Sequence, residues 1–231
     1  MQKLITLIGA FLLTMGVNAQ TTLKVESFRM GIGEQKTITL DLNNSDLTDA
    51  AAFCCDIVLP DGVEIAANEE GTYLFSVSDK DSRSTSSDLV IASAKQSDGA
   101  VRVVCFPKDA SAFAGTSGAI LNIPLVASET LTKGIVEVTI TSQEITNTTG
   151  LHTENPGNYA ADMTAFLRGD ANNDNDVGIG DVVSVVNYNA GTSTEITMPD
   201  ADANGDGDIG IGDIVAIINI MAGRSWDGEN K

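Results

Sequence analysis

Residues 170–181 read Asp-Ala-Asn-Asn-Asp-Asn-Asp-Val-Gly-Ile-Gly-Asp, and residues 202–213 repeat the run as Asp-Ala-Asn-Gly-Asp-Gly-Asp-Ile-Gly-Ile-Gly-Asp. The offset is 32 residues, and 13 of 22 positions agree between 170–191 and 202–223, too regular for a chance acidic turn. Oxygen-bearing residues stand where a twelve-residue loop wraps a hard cation such as Ca²⁺ with about six to eight oxygens. On that spacing Asp170, Asn172 and Asp174 supply side-chain oxygens, Asp176 its backbone carbonyl and Asp181 a bidentate carboxylate. Asp202, Asn204, Asp206, Asp208 and Asp213 repeat the set, so two Ca²⁺ ions are expected. The turn at the sixth loop position favours positive φ, which Gly207 adopts freely and Asn175 less readily.

An apolar run follows each loop, 181–191 and 213–223, and each ends in a glycine that reads as a helix stop. No helical pattern precedes either loop, whereas a full EF-hand has a helix on both sides. This loop-helix pair, doubled, resembles the type I dockerin module of bacterial polysaccharide-degrading assemblies over about 167–231. It departs from that module at Asn175, where a loop glycine is usual, and at Asn187 and Asn219, where basic residues are common. In dockerins the tenth and eleventh loop positions help to select the partner. The resemblance places Ile179-Gly180 and Ile211-Gly212 there, presented twice about a pseudo-twofold axis to a cohesin-type protein partner. The alternative is that Ile179 and Ile211 join Val177 and Ile209 in the small core between the loops, since so small a module has few apolar residues to spare. Trp226 is expected to pack on Phe166 or Leu167.

From 168 to 231 there are 3 Lys/Arg against 12 Asp/Glu, a formal −9. Two divalent ions would offset four of those charges, so calcium is expected to act as a folding ligand of this tail. At the other end Met1-Gln-Lys3 precedes an apolar stretch at about 4–17 and the small-residue pair Val17-x-Ala19. That reads as a cleaved signal peptide, 1–19, too short for a membrane span of about 20 apolar residues. The chain is therefore expected to be secreted, with no membrane insertion. A formal charge of −19 argues against nucleic acid as a partner.

Residues 20–150 alternate apolar and polar side chains at 37–42, 53–59, 101–106, 119–125 and 135–140, with shorter strand patterns at 22–28, 73–77 and 89–94. Eight or nine strands of this kind predict a jelly-roll-like antiparallel β-sandwich, joined by a linker at 151–166 to the small all-α calcium module at 167–231. The runs Gly33–Leu40, Ala52–Pro60 with Val63 and Ile65, 101–104, and Gly118-Ala-Ile-Leu leading to Thr139-Ile-Thr-Ser resemble a cohesin-like domain of the carbohydrate-binding sandwich type over about 24–146. Leu59-Pro60-Asp61-Gly62 stands where cohesins usually have an aromatic and an acid. Of the three cysteines, Cys55 and Cys105 fall in the buried phase of their strands, either bonded to each other or as free thiols.

No catalytic residue is assigned. The single histidine, His152, falls in the expected linker, and triad or His-based metal chemistry would have to rest on it. Carboxylate pairs drawn from Glu64, Glu69, Glu70 or Glu144 have no aromatic groove to serve. The reading is an exported non-catalytic adaptor docking through a calcium-dependent dockerin. The alternative is a carbohydrate-binding or receptor-type sandwich, with polysaccharide as partner, whose calcium module is only an intramolecular stabiliser.

Overall fold

The computed structural model describes residues 21–81, 83, 89–193 and 195–227; the expected signal peptide lies outside the described residues. Where apolar residues alternate, pleated backbone sends them all to one face. The strands are β1 (Thr22–Lys24), β2 (Phe28–Gly31), β3 (Gln35–Asn43), β4 (Ala50–Val58), β5 (Val63–Ile65), β6 (Ser76–Val77), β7 (Leu89–Lys95), β8 (Val101–Pro107), β9 (Ala119–Ala127), β10 (Gly134–Asn147), β11 (Thr153–Glu154) and β12 (Tyr159–Phe166). Two helices follow, α1 (Ile179–Asn189) and α2 (Ile211–Met221).

One sheet runs β1-β3-β9-β5, with β6 also on β9; the other runs β2-β12-β10-β4-β8-β7, with β11 on β10. Their inner faces share one core, in which Leu40, Leu42, Leu121, Ile123 and Leu125 of the first sheet meet Phe53, Ile57, Val103, Val138 and Ile140 of the second. The body is a β-sandwich, as its alternation predicts.

The stretch expected as a linker is not one. β12 pairs along its length with β10 and, on its other edge, with β2. Ala161, Met163 and Ala165 point into the core while Ala160 and Asp162 face solvent. Alanine contributes little to a strand signal, and the turn-like sequence Asn155-Pro156-Gly157 just before it masks the rest. The sandwich therefore extends to Phe166 and has twelve strands among the described residues, not eight or nine. Nor is it wholly antiparallel, because β12 runs parallel to β2. A parallel pair needs a long crossover, and here everything between residues 31 and 159 supplies it, beyond the reach of local turn signals.

A bulge in β10 adds a stitch between the sheets. Ser142 takes φ 49°, the pairing with β4 skips from Thr141 to Glu144, and the displaced Gln143 turns inward. Its Oε1 accepts from Leu23 N at 2.7 Å and its Nε2 donates to Gly157 O at 3.0 Å. All three cysteines are free thiols. Cys55 lies opposite Val103 and Cys105 opposite Phe53, so the two buried thiols are diagonal neighbours on the core face. Burial pushes the Cys105 thiol up to about 12 and Cys55 higher still, so both stay protonated at neutral pH.

If β12 is a core strand, Met163→Ala leaves a cavity and costs about 2–5 kcal/mol in urea unfolding. A residue in a linker would cost close to nothing.

Candidate metal-binding loops and an exposed helical face

Each twelve-residue run folds into a loop held by its own acids. In the first, Asp170 accepts from the backbone N–H groups of Asp174 at 2.9 Å and Asn175 at 3.1 Å. Asn172 Oδ1 accepts from Asp174 N, and Asp174 Oδ1 from Asp176 N, both at 2.9 Å. Asp181 then reaches back nine residues to Asn172 N at 3.1 Å and caps α1 through Gly178 N at 2.7 Å. The second loop repeats these bonds except the one to the leading acid's Oδ1: Asp213 holds Asn204 N at 3.1 Å and Gly210 N at 2.7 Å, and Asp202 holds Gly207 N at 3.1 Å. Asn175 and Gly207 take the positive φ expected at the sixth position, 67° and 91°. The fourth position takes it too, 62° at Asn173 and 76° at Gly205, a requirement that the spacing of the acids does not reveal.

Among the described residues no three His, Cys, Asp or Glu side chains converge as a metal cluster. A loop site of the expected kind also draws on asparagine oxygens and a backbone carbonyl, so its carboxylates are separated by other donors. At present Asn172 and Asn204 each donate an amide hydrogen to the Oδ2 of Asp174 and Asp206 at 2.8 Å. The Asp208 N–H and the Asn204 amide hold the Asp206 carboxyl below its usual range. One observation tests the fit directly: Asp202 Oδ1 is buried and has no hydrogen-bond partner. Leaving such an oxygen unsatisfied costs about 1–3 kcal/mol, more for a charged group, and a cation in the loop would satisfy it. The acid and amide oxygens of the second loop fit a hard divalent ion.

The side chains of Ile179 and Ile211 are 68% and 77% exposed. They do not join the small core, which is Ala171, Val185, Ala201, Ala203, Ala216 and Ile217, with Val177 and Ile209 packed against it. Each is the first helical residue after its N-cap glycine, on the outward side. Val183 and Val186 continue the exposed row on α1, and Val215 and Ile218 continue it on α2, at the i, i+4, i+7 spacing of one helix face. These four residues were hidden in the sequence because both helices are apolar nearly all round. Gly180 and Gly212 serve the loops themselves: a Cβ at 180 would stand 2.9 Å from Asn172 Nδ2, and one at 212 would collide with Asn204 Nδ2.

Only residues 167–169 separate β12 from the first loop. The junction is tied by two cations. The Arg168 guanidinium lies over the rings of Phe166 and Trp226, 5.2 and 5.3 Å from their centroids, so Trp226 meets this region through Arg168. Arg168 pairs with Glu34 in the β2–β3 turn and donates from Nη1 to Ala203 O at 3.0 Å. Lys133, in the turn before β10, donates to Asp170 Oδ2 at 2.9 Å, Asn173 Oδ1 at 2.7 Å and Asp200 Oδ1 at 2.7 Å. Burial disfavours that ammonium, but its bonds to Asp200 and Asp170 outweigh the penalty and hold it above its usual range. Asp200 also accepts from Leu167 N at 2.9 Å. Nothing in the local sequence marks Lys133, Asp200 or Glu34 as partners of residues 167–170, 33 to 134 residues away.

The remaining acids lie apart from this region. Glu64 borders a cleft of about 790 Å³ with Asp61, Lys95 and Asp98, where Tyr73 is the sole ring among the lining residues. Glu69 and Glu70 are exposed in a turn, and Glu144 is exposed at the bulge. His152 is exposed and bonds to Glu154 Oε1 at 2.7 Å. Among the described residues no helix is long and apolar enough to cross a membrane.

No family model and no curated protein matches the chain. Similar solved structures include a cohesin module from a family 33 glycoside hydrolase of Clostridium perfringens, 10% identical, TM-score 0.48, covering 63% of this chain and 94% of that one. A non-cellulosomal cohesin from the hyperthermophilic archaeon Archaeoglobus fulgidus is 13% identical, TM-score 0.48, over 64% of this chain and 91% of that one. A type I cohesin–dockerin complex from Clostridium thermocellum is 11% identical, TM-score 0.47, over 62% and 96%.

Trp226 is the single tryptophan, which makes the Arg168 tie visible by fluorescence. Arg168→Ala removes the cation beside the ring and opens it to water, so its emission shifts to the red. An unchanged emission maximum would mean that Arg168 does not hold the ring.

Proposed function

We propose that the chain is an exported, non-catalytic adaptor that docks a cohesin-type partner protein through the paired helices of a calcium-dependent dockerin-like module. The observation that carries this reading is the apolar face repeated on α1 and α2, with Ile179, Val183 and Val186 matched by Ile211, Val215 and Ile218. A monomer of this size rarely leaves such rows uncovered unless another surface takes them. Both rows begin one residue after an N-cap glycine whose N–H is held by a loop carboxylate. Ions bound by Asp170, Asn172, Asp174, Asp176 and Asp181, and by Asp202, Asn204, Asp206, Asp208 and Asp213, would offset the repulsion among those acids. They would also fix the helix starts on which the faces depend. The leader read at 1–19 supports export, and extracellular calcium is high enough for weak sites to fill.

A second reading has an observation in its favour. The ties of Lys133 and Arg168, and the absence of a linker, fit a module that braces its own sandwich. On that reading the sandwich is the working part, with a glycan or receptor ligand.

Capture from a secreted fraction on the immobilised chain separates the two. Docking predicts a protein partner that is lost on chelation. Because the faces are duplicated, Ile179→Asp or Ile211→Asp alone leaves capture largely intact, and the pair abolishes it without changing the circular dichroism. Capture that survives both chelator and the double substitution, or retention on glycan beads alone, would favour the second reading.

In the same protein, calcium at about a hundred times its dissociation constant should add about 2.7 kcal/mol per site to stability, read as a raised melting temperature. Equal melting in calcium and in chelator would remove calcium from the account.

A further inference from the structure

The two loops are near copies, yet their leading carboxylates are placed differently. Asp170 is fully buried, and both its oxygens are engaged: Oδ1 by Asp174 N, Oδ2 by Asn175 N and by the Lys133 ammonium. Asp202 has Gly207 N on Oδ2 and nothing on Oδ1. Part of the difference lies inside the repeat, in the Asp174 N–H on Asp170 Oδ1, and part lies outside it, in the lysine that the sandwich places on Asp170 Oδ2.

We infer that Lys133 makes the two loops unequal, so that the second loop takes calcium first and calcium entering the first loop works against the tie between module and sandwich. The inference rests on the calcium reading. An ammonium has three donors, and here they go to Asp170, Asn173 and Asp200. The charge is partly buried, so salt screens it poorly. A divalent ion held by Asp170 would draw on the same carboxylate that now carries that ammonium. Arg168 stands near the second loop too, but it donates there to the Ala203 carbonyl and its charge is paired with Glu34. Among the described residues no cation pairs with a loop-two carboxylate.

Coupling of this kind is reciprocal. Whatever affinity Lys133 removes from the first loop, calcium in that loop removes from the Lys133 tie. Filling the second loop leaves the tie intact, and filling the first loosens the module from the turn before β10. Calcium concentration would then set how firmly the module that carries the helical faces is tied to the sandwich.

The test uses the whole chain and calcium itself. Asn175 N and Gly207 N each donate to the leading carboxylate of their loop, so their amide resonances report the two sites separately during a titration. The Gly207 signal is expected to move first, with dissociation constants about tenfold or more apart, which is about 1.4 kcal/mol. Lys133→Met should tighten the first site about tenfold and leave the second within about twofold, while Lys133→Arg keeps the separation. If the methionine variant does not fold, because it strands Asp170 and Asp200, the order of filling in the wild type still decides. Equal affinities, earlier movement of Asn175, or a methionine variant in which both sites change alike would overturn the inference. Absence of calcium uptake at either amide would bring down the calcium reading itself, and is told apart by the flat titration.

Discussion

One carboxylate in each repeat holds the C-terminal module together. Asp181 and Asp213 each span their loop, one oxygen on the N–H of the third residue and the other on the N–H of the N-cap glycine. The same group closes the loop, caps the helix and stands at the twelfth loop position, where the spacing predicts a bidentate metal ligand. Both are almost fully buried. A buried charge is tolerated only when it is paired and hydrogen-bonded, so the two backbone donors account for part of each carboxylate and a cation would account for the rest. The direction of each helix, and hence of its exposed face, follows from that closure.

The loops were legible because their chemistry is written at fixed spacing. Oxygen donors at positions one, three, five and twelve of a run that then repeats leave little freedom in how the backbone folds. The sandwich was legible as alternation, and its core residues Leu40, Phe53, Val103 and Ile123 lie where period two puts them. What escaped has a common cause. β12 is built from alanines, so its inward phase is faint. The exposed row on α1 is invisible because Val182, Val183, Val185 and Val186 are all apolar, and only the partner helix decides which of them is covered. Lys133, Asp200 and Glu34 are single charges whose roles come from turns far apart in sequence.

The missing linker changes the mechanics more than it changes the fold. A module on a tether presents its faces in any direction, whereas one that begins three residues after a core strand has its orientation set by the sandwich. Arg168 and Lys133 reinforce this from two different turns, and each does so by neutralising an acid that the body or the module already carries. Surface ion pairs are usually weak. Losing Lys133 would cost more than losing a surface partner, because Asp170 and Asp200 are nearly inaccessible to water and would be left as unpaired buried charges.

A duplicated module with one asymmetric neighbour cannot remain functionally symmetric. The two helices offer equivalent apolar rows, yet the loop that starts α1 shares its leading acid with the sandwich and the loop that starts α2 does not. On the proposed reading, the energy of ordering α1 therefore includes the cost of disturbing the Lys133 tie, while α2 is ordered at the expense of its own loop alone. A partner able to use either row would then meet two surfaces of equal chemistry and unequal rigidity. The difference between them comes from a side chain that belongs to neither repeat.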